Sequence, residues 1–146
     1  MVIDSSAIVA IMPGETEAVA FAHAIEQDRV RLMSAVSALE VSLVMGHRKG
    51  LAAIREFDLL LHRAALEIVP FNGEQFELAR AAWLRYGKSR HAAGLNLGDC
   101  CSYALARVSG EALLAKGNDF VQTDLRMAMP VMGVSPPPRA GRKRAN

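Results

Sequence analysis

Short apolar runs with β character alternate along this chain with segments of helical period, and that alternation narrows the folds open to it. Residues 1–4 (MVID), 30–34 (VRLMS), 67–70 (EIVP) and 111–115 (EALLA) read as strands, and 131–132 offers a last edge strand. Between them, residues 5–12, about 17–27, 34–50, 51–65, 73–86 and 99–110 read as helices. The punctuation agrees: Pro13-Gly14 stops the first helix, Thr16 can cap the second, Ser34 or Ser37 the third, and Gly110 ends the last. Apolar spacing assigns buried faces to Val19, Phe21, Ala22 and Ile25 in the second helix. It does the same for Leu51, Ile54, Leu59, Leu61 and Ala65 in the fourth, and for Phe76, Leu78, Ala79, Ala82 and Trp83 in the fifth. Strands this short, each followed by a helix, imply an α/β protein: a three-layer α/β/α sandwich with a short central, mostly parallel sheet. In such sheets ligands gather outside the carboxyl ends of the strands.

The chain's 146 residues suffice for one core. No apolar run approaches the ~20 residues of a membrane-spanning helix. The opening MVIDSSAIVAIMPGE has no basic n-region and carries Asp4 within its apolar stretch, unlike a signal peptide, so a cytoplasmic location without membrane attachment is expected. The net charge of +2 hides an asymmetry: the tail 139–146 holds Arg139, Arg142, Lys143 and Arg144, and residues 1–138 carry 13 basic against 15 acidic side chains. No global basic field marks the body as a nucleic-acid binder, so any such function rests on local sites. Cys100 and Cys101 are adjacent and lack zinc-ligand spacing, and they read as small buried hydrophobes.

Most of the acidic residues sit among polar neighbours, but three do not. Asp4 lies between MVI and SSAIVAI, Glu40 inside VSALEVSLVM, and Asp99 within LNLGDCCSYALA. A carboxylate in an apolar segment must find a partner or bear a desolvation cost of several kcal/mol. Asp4 ends the first strand, Glu40 lies one to two turns into the helix that leaves the second, and Asp99 opens the helix feeding the fourth. Asp119, in a Gly-Asn-Asp turn, follows that fourth strand; Asp124 nearby is an alternative to it. Parallel strands bring these positions to one edge of the sheet. A gathering of oxygen ligands suits a hard divalent cation, Mg²⁺ with Mn²⁺ as substitute. Such an ion clamps a phosphate oxygen and lowers the pKa of water, which suits phosphodiester hydrolysis.

A signalling receiver domain expects paired acids after the first strand and an acceptor Asp after the central one; Ser5-Ser6 and Pro70-Phe71 stand there instead. A haloacid-dehalogenase-type phosphatase wants a second acid where Ser6 stands. A module that binds RNA or protein without cleaving is the remaining alternative.

At these residues the sequence resembles PIN-domain proteins, specifically VapC-type toxins of bacterial toxin–antitoxin pairs. The matching stretches are MVIDSSAIVAI, SAVSALEVSLV, GLNLGDCCSYALA and LLAKGNDFVQTDL, in that order, over about residues 1–134. The resemblance implies a PIN-like sandwich with Asp4, Glu40, Asp99 and Asp119 as the catalytic metal site. It places Ser6 and Thr123 as hydroxyls supporting the cluster. It also implies a metal-dependent endoribonuclease acting on a structured RNA such as transfer or ribosomal RNA. Inhibition of translation, a homodimer, and neutralisation by a VapB-type antitoxin in a higher assembly follow from it too. The chain departs from the family at 135–146, where a Pro-rich, basic stretch that reads as disordered extends past the domain.

Lys88, Arg90 and His91 lie in the loop before Asp99, where they are candidates to hold RNA phosphates. The basic tail is a weaker candidate for the same role. His23, His47 and His62 share no ligand spacing. Trp83 and Tyr86 are assigned to the core, since base stacking demands exposure. The apolar stretches 36–45 and 51–61 are candidates for a dimer interface.

Overall fold

The structure, a computed structural model, describes residues 1–130. Strands β1 (Val2–Ile3), β2 (Leu32–Ser34), β3 (Glu67–Val69) and β4 (Leu113–Leu114) form one sheet in the order β3-β2-β1-β4. Every pairing is parallel, with Val2 opposite both Leu32 and Leu113. The helices are α1 (Ser5–Ile11), α2 (Ala18–Gln27), α3 (Ala35–Lys49), α4 (Leu51–Arg63), α5 (Gly73–Tyr86) and α6 (Leu97–Ser109), with a 3₁₀ turn over Phe120–Gln122. None of these helices is long and apolar enough to cross a membrane.

The strands are minimal because both faces of the sheet are covered. Successive side chains on a strand point to opposite faces. Ile3 and Leu114 accordingly pack with Ile8, Phe21, Met33, Val41 and Phe57 of the α1–α4 side. Val2 and Leu113 pack with Ala82, Tyr86, Tyr103 and Leu105 of the α5–α6 side. The α/β/α sandwich expected from the alternation is the observed architecture.

Beyond β4, Leu113 donates its N–H to the Arg126 carbonyl (2.9 Å) and accepts from the Ala128 N–H (2.8 Å), so residues 126–128 cover that edge. The edge strand expected at 131–132, the boundary at 134 and the tail 135–146 lie outside the described residues.

Several expectations are corrected in detail. Helix α6 starts at Leu97 rather than 99, because Asn96 caps it. Glu17, not Thr16, stands at the N-cap of α2 and makes no side-chain cap bond. Ser34 caps α3, accepting from Val36 N–H. Val19, Leu51, Leu59, Phe76 and Trp83 are exposed, not core. The buried stripe of α5 runs Gln75, Ala79, Ala82, Tyr86. A buried glutamine at its head, whose Nε2 donates to the Pro70 carbonyl (3.0 Å), disguised the helix phase. In α4 the buried pair is Ala53 and Phe57.

This phase is testable. Phe57→Ala, at a side chain 1% exposed, is expected to cost about 3–5 kcal/mol in urea unfolding. Leu51→Ala, 72% exposed, should change stability by no more than about 0.5 kcal/mol. Equal losses would place α4 in the wrong rotation.

Candidate active site

Asp4 follows β1 directly, and its carboxylate is buried while doing three structural jobs. Its Oδ2 accepts the Ser6 N–H (2.9 Å), capping α1. The same oxygen accepts the Ser6 hydroxyl (2.6 Å), and Ser6 Oγ in turn accepts the Lys116 N–H (3.0 Å) from the loop after β4. Its Oδ1 accepts the Ser102 hydroxyl from α6 (2.6 Å). Ser37 Oγ lies 2.9 Å from Ser102 Oγ; since Ser102 spends its only proton on Asp4, Ser37 is the donor of that bond. Both serines are fully buried, so the hydroxyl chain Ser37–Ser102–Asp4 joins α3, α6 and β1 through the core.

Glu40, half-buried in α3, lies over the start of α6. Its Oε2 accepts the Ser5 hydroxyl (2.7 Å). A Cβ on Gly98 would fall inside contact distance of that carboxylate, so a side chain there would displace the Glu40 carboxylate from its place over α6. Asp99 is the third residue after the cap in a reciprocal capping box: its N–H donates to Asn96 Oδ1 (3.0 Å), and its Oδ2 accepts the Asn96 N–H (2.8 Å). Asp119 precedes the 3₁₀ turn on the loop leaving β4, exposed and without a cap bond.

The four acids share one electrostatic field. Burial first, then the negative charges of Asp4, Asp119 and Glu40, push the Asp99 carboxyl up to about 6, with the Asn96 N–H opposing them. Among the described residues none of the four has a basic side chain at ion-pair distance. A concentration of unpaired carboxylate oxygens matches the donor chemistry of Mg²⁺ or Mn²⁺. The residues are gathered but not closed on a point: among the described residues no three carboxylate, imidazole or thiol groups converge at ligand spacing. The reason is visible in the hydrogen bonds, since Asp99 turns one oxygen back to Asn96 and Glu40 turns one to Ser5. Each keeps a second oxygen free for a cation.

A family model described as PIN domain matches residues 1–125. Ribonuclease VapC30 of Mycobacterium tuberculosis is 53% identical over 125 residues, which span 86% of this chain and 95% of the relative. Ribonuclease VapC of Mycolicibacterium smegmatis is 51% identical over 125 residues, spanning 86% and 97%. The chain is a PIN-domain protein of the VapC family. Among solved structures, VapC20 of Mycobacterium tuberculosis, described as a sarcin–ricin-loop-cleaving toxin, superposes with a TM-score of 0.72 at 18% identity, covering 88% of this chain and 98% of that one. A toxin–antitoxin complex from Klebsiella pneumoniae gives 0.66 at 17% identity, covering 84% and 92%. At these identities the structures speak for the fold.

Within this PIN domain the remaining residues sort by contact. Ser6 donates both its N–H and its hydroxyl to Asp4. Thr123 does not reach the acids; its hydroxyl donates to the Phe120 carbonyl (2.6 Å) and accepts from Leu125 N–H, closing the 3₁₀ turn behind Asp119. Asp124 is no substitute for Asp119. The Tyr103 hydroxyl (2.7 Å) binds it, Arg107 and Arg85 stand near, and together they hold its carboxyl below the usual range. Lys88, Arg90 and His91 are exposed on the loop before α6, with His91 Nδ1 accepting the Ala93 N–H (3.0 Å) and its ring edge-on to Tyr86. Cys100 and Cys101 are buried free thiols, pushed up to about 11 by burial. Sequence reasoning missed Ser5, Ser37, Asn96, Gly98 and Ser102. Two had a signal: Asn96-x-x-Asp99 is a capping-box spacing, and Ser102 lies three residues after Asp99, on the same helix face.

The Asp99 shift sets a stability test in EDTA. Its folded carboxyl titrates near 6, above the ordinary 3.8, so the ionised form destabilises the fold; that cost is full above pH 6 and is relieved as pH falls toward 4. Asp99→Asn should therefore stabilise the protein at pH 7.5 by about 1–2 kcal/mol, after discounting for partial solvent screening. The gain should shrink to nothing near pH 4, as thermal unfolding across pH would show. A gain independent of pH would place Asp99 outside the shared field.

Proposed function

We propose that this protein is a Mg²⁺-dependent endoribonuclease toxin that cleaves a structured RNA, a transfer or ribosomal RNA, and thereby inhibits translation. The observation that carries the reading is the set of four carboxylates from separate elements, unpaired with any described basic side chain and close enough to lift Asp99. The ribonuclease names of the 53% and 51% identical relatives support it. By the same kinship we infer a VapB-type antitoxin as partner and a homodimer that enters a higher assembly with it, in the cytoplasm where its RNA lies.

Asp4 and Asp99 would hold the cation directly, with Glu40 and Asp119 completing the shell. Bound there, Mg²⁺ or Mn²⁺ supplies Lewis acidity toward a phosphoryl oxygen and lowers the pKa of water. Asp4 is immobilised by Ser6 and Ser102, so its position costs no rearrangement during reaction. Glu40, anchored through Oε2 by Ser5, keeps Oε1 to orient the attacking water. Lys88, Arg90 and His91 grip flanking phosphates without reading sequence. Hydrolysis would proceed by attack of water on phosphorus as one bridging P–O bond breaks and its ribose oxygen leaves, protonated, as a hydroxyl, with no covalent enzyme intermediate.

Purified protein with Mg²⁺ or Mn²⁺ should cut total cellular RNA into discrete fragments, and EDTA or Asp99→Asn should abolish them. Cleavage that survives Asp99→Asn removes this mechanism; no cleavage at all favours a silent PIN-like binding module. Gly98→Ala adds a sharper check. Alanine is the better helix residue by about 1 kcal/mol, so the melting temperature should hold or rise. Yet the new Cβ displaces the Glu40 carboxylate, and cleavage should fall at least tenfold. Undiminished cleavage would show that Glu40 is dispensable.

A further inference from the structure

Asp4 is 1% exposed, and an ionised carboxylate offers about four lone-pair sites to its surroundings. Oδ2 accepts both the N–H and the hydroxyl of Ser6, which fills it. Oδ1 accepts the Ser102 hydroxyl (2.6 Å) and, among the described residues, nothing else. Asp4 therefore keeps one open site, on the oxygen that Ser102 holds.

Packing does not explain the hydroxyls behind that oxygen. Ser102 stands in α6 among buried Cys101, Ala104 and Leu105, and Ser37 shares the buried stripe of α3 with Val41 and Met45. Both serines are 0% exposed. Alanine would fill either place without burying a hydroxyl. Together the two form a directed chain. Ser102 gives its one proton to Asp4, and Ser37, 2.9 Å away, gives its own to the Ser102 oxygen and fixes that hydroxyl from behind.

Held by Ser6 alone, the Asp4 carboxylate is gripped at one oxygen and can turn about it. Ser102 grips the other oxygen, and the direction of the open lone pair is then set. The chain also ends beside a second acid, because Ser37 and Glu40 are three residues apart on α3 and so neighbours on its surface. Ser5, next to Asp4, donates to Glu40. Two bridges thus fix Asp4 against Glu40, one through Ser5 and one through Ser102 and Ser37.

We infer that Ser102, backed by Ser37, is a positioning residue for the divalent cation: it fixes Asp4 with the open Oδ1 lone pair presented to the ion, and adds affinity without touching the ion. The inference deepens the metal-dependent reading and rests on it. Hydrogen-bonding partners of a ligating group orient it and tune its basicity, and losing one weakens metal binding about 10–100-fold.

The test needs neither RNA nor turnover. Metal-free full-length protein is titrated with Mn²⁺, and the electron paramagnetic resonance signal of free Mn²⁺ reports what stays unbound. Ser102→Ala should weaken Mn²⁺ binding about tenfold, and Ser102→Thr, which restores the hydroxyl, should recover most of it. Ser37→Ala should weaken binding by less. It should add nothing in the Ser102→Ala background, because Ser37 reaches Asp4 only through Ser102. Thermal melting in EDTA keeps every titration below the unfolding transition. Ser37→Ala leaves all three bonds on Asp4 in place, so it carries the test should Ser102→Ala not fold. Unchanged Mn²⁺ affinity in the folded serine variants, with only the melting temperature lowered, makes the chain a structural tie and overturns the positioning role. Wild-type protein that binds no Mn²⁺ overturns the cation reading beneath it.

Discussion

The Asp4 carboxylate is the point on which the rest of the molecule depends. It ends the central strand, caps the first helix through Ser6, ties α6 through Ser102, and reaches the loop after β4 through Ser6 and Lys116. A buried charge is tolerated only where its lone pairs are occupied, and here every partner belongs to a different part of the fold. The sandwich is thus closed around a buried carboxylate. Ser37 stands one step further out, so α3, which carries Glu40, is registered against the same anchor.

That arrangement sets folding against function at Asp99. The capping box that starts α6 uses one of its oxygens, a favourable contact at a helix N-terminus. The other three acids work in the opposite direction, and burial reinforces them. Like charges confined at the end of a sheet are a stability cost that a purely structural design would avoid. Under the proposed cation binding, a divalent ion would convert the cost into affinity, since holding it would remove the repulsion. The second oxygens of Asp99 and Glu40, left without protein partners, are where that conversion has room to occur.

How much was legible in the sequence follows from which physical rule wrote each part. The layers and the parallel sheet were readable because strand–helix alternation is a strong, redundant pattern, and because buried acids in VSALEVSLVM and LNLGDCCSYALA are anomalies on any scale. The rotation of individual helices was not. In α5 the core stripe is Gln75, Ala79, Ala82 and Tyr86, small or polar residues that carry little hydrophobic signal, while Phe76 and Trp83 point outward. Hydropathy assigns the largest apolar residues inward, and in α5 that assignment fails. The hydroxyls on Asp4 and the glycine under Glu40 were hidden for another reason. Ser102 and Gly98 matter only through contacts with residues 98 and 58 positions away in the chain, which no local spacing encodes.

The errors of phase and the position of the acids therefore have a common origin. A parallel sheet two or three residues deep has little interior to offer, so its core is filled by alanine, methionine, branched aliphatics and a few aromatics on the inward stripes. That frees larger rings on α5 to remain at the surface beside α6. The same shallowness brings the carboxyl ends of β1 and β4 and the first turns of α3 and α6 within reach of one another, so that four acids from distant positions lie in one field without a dedicated loop to carry them. The economy of the core and the exposure of the large rings on α5 go together with the same short strands.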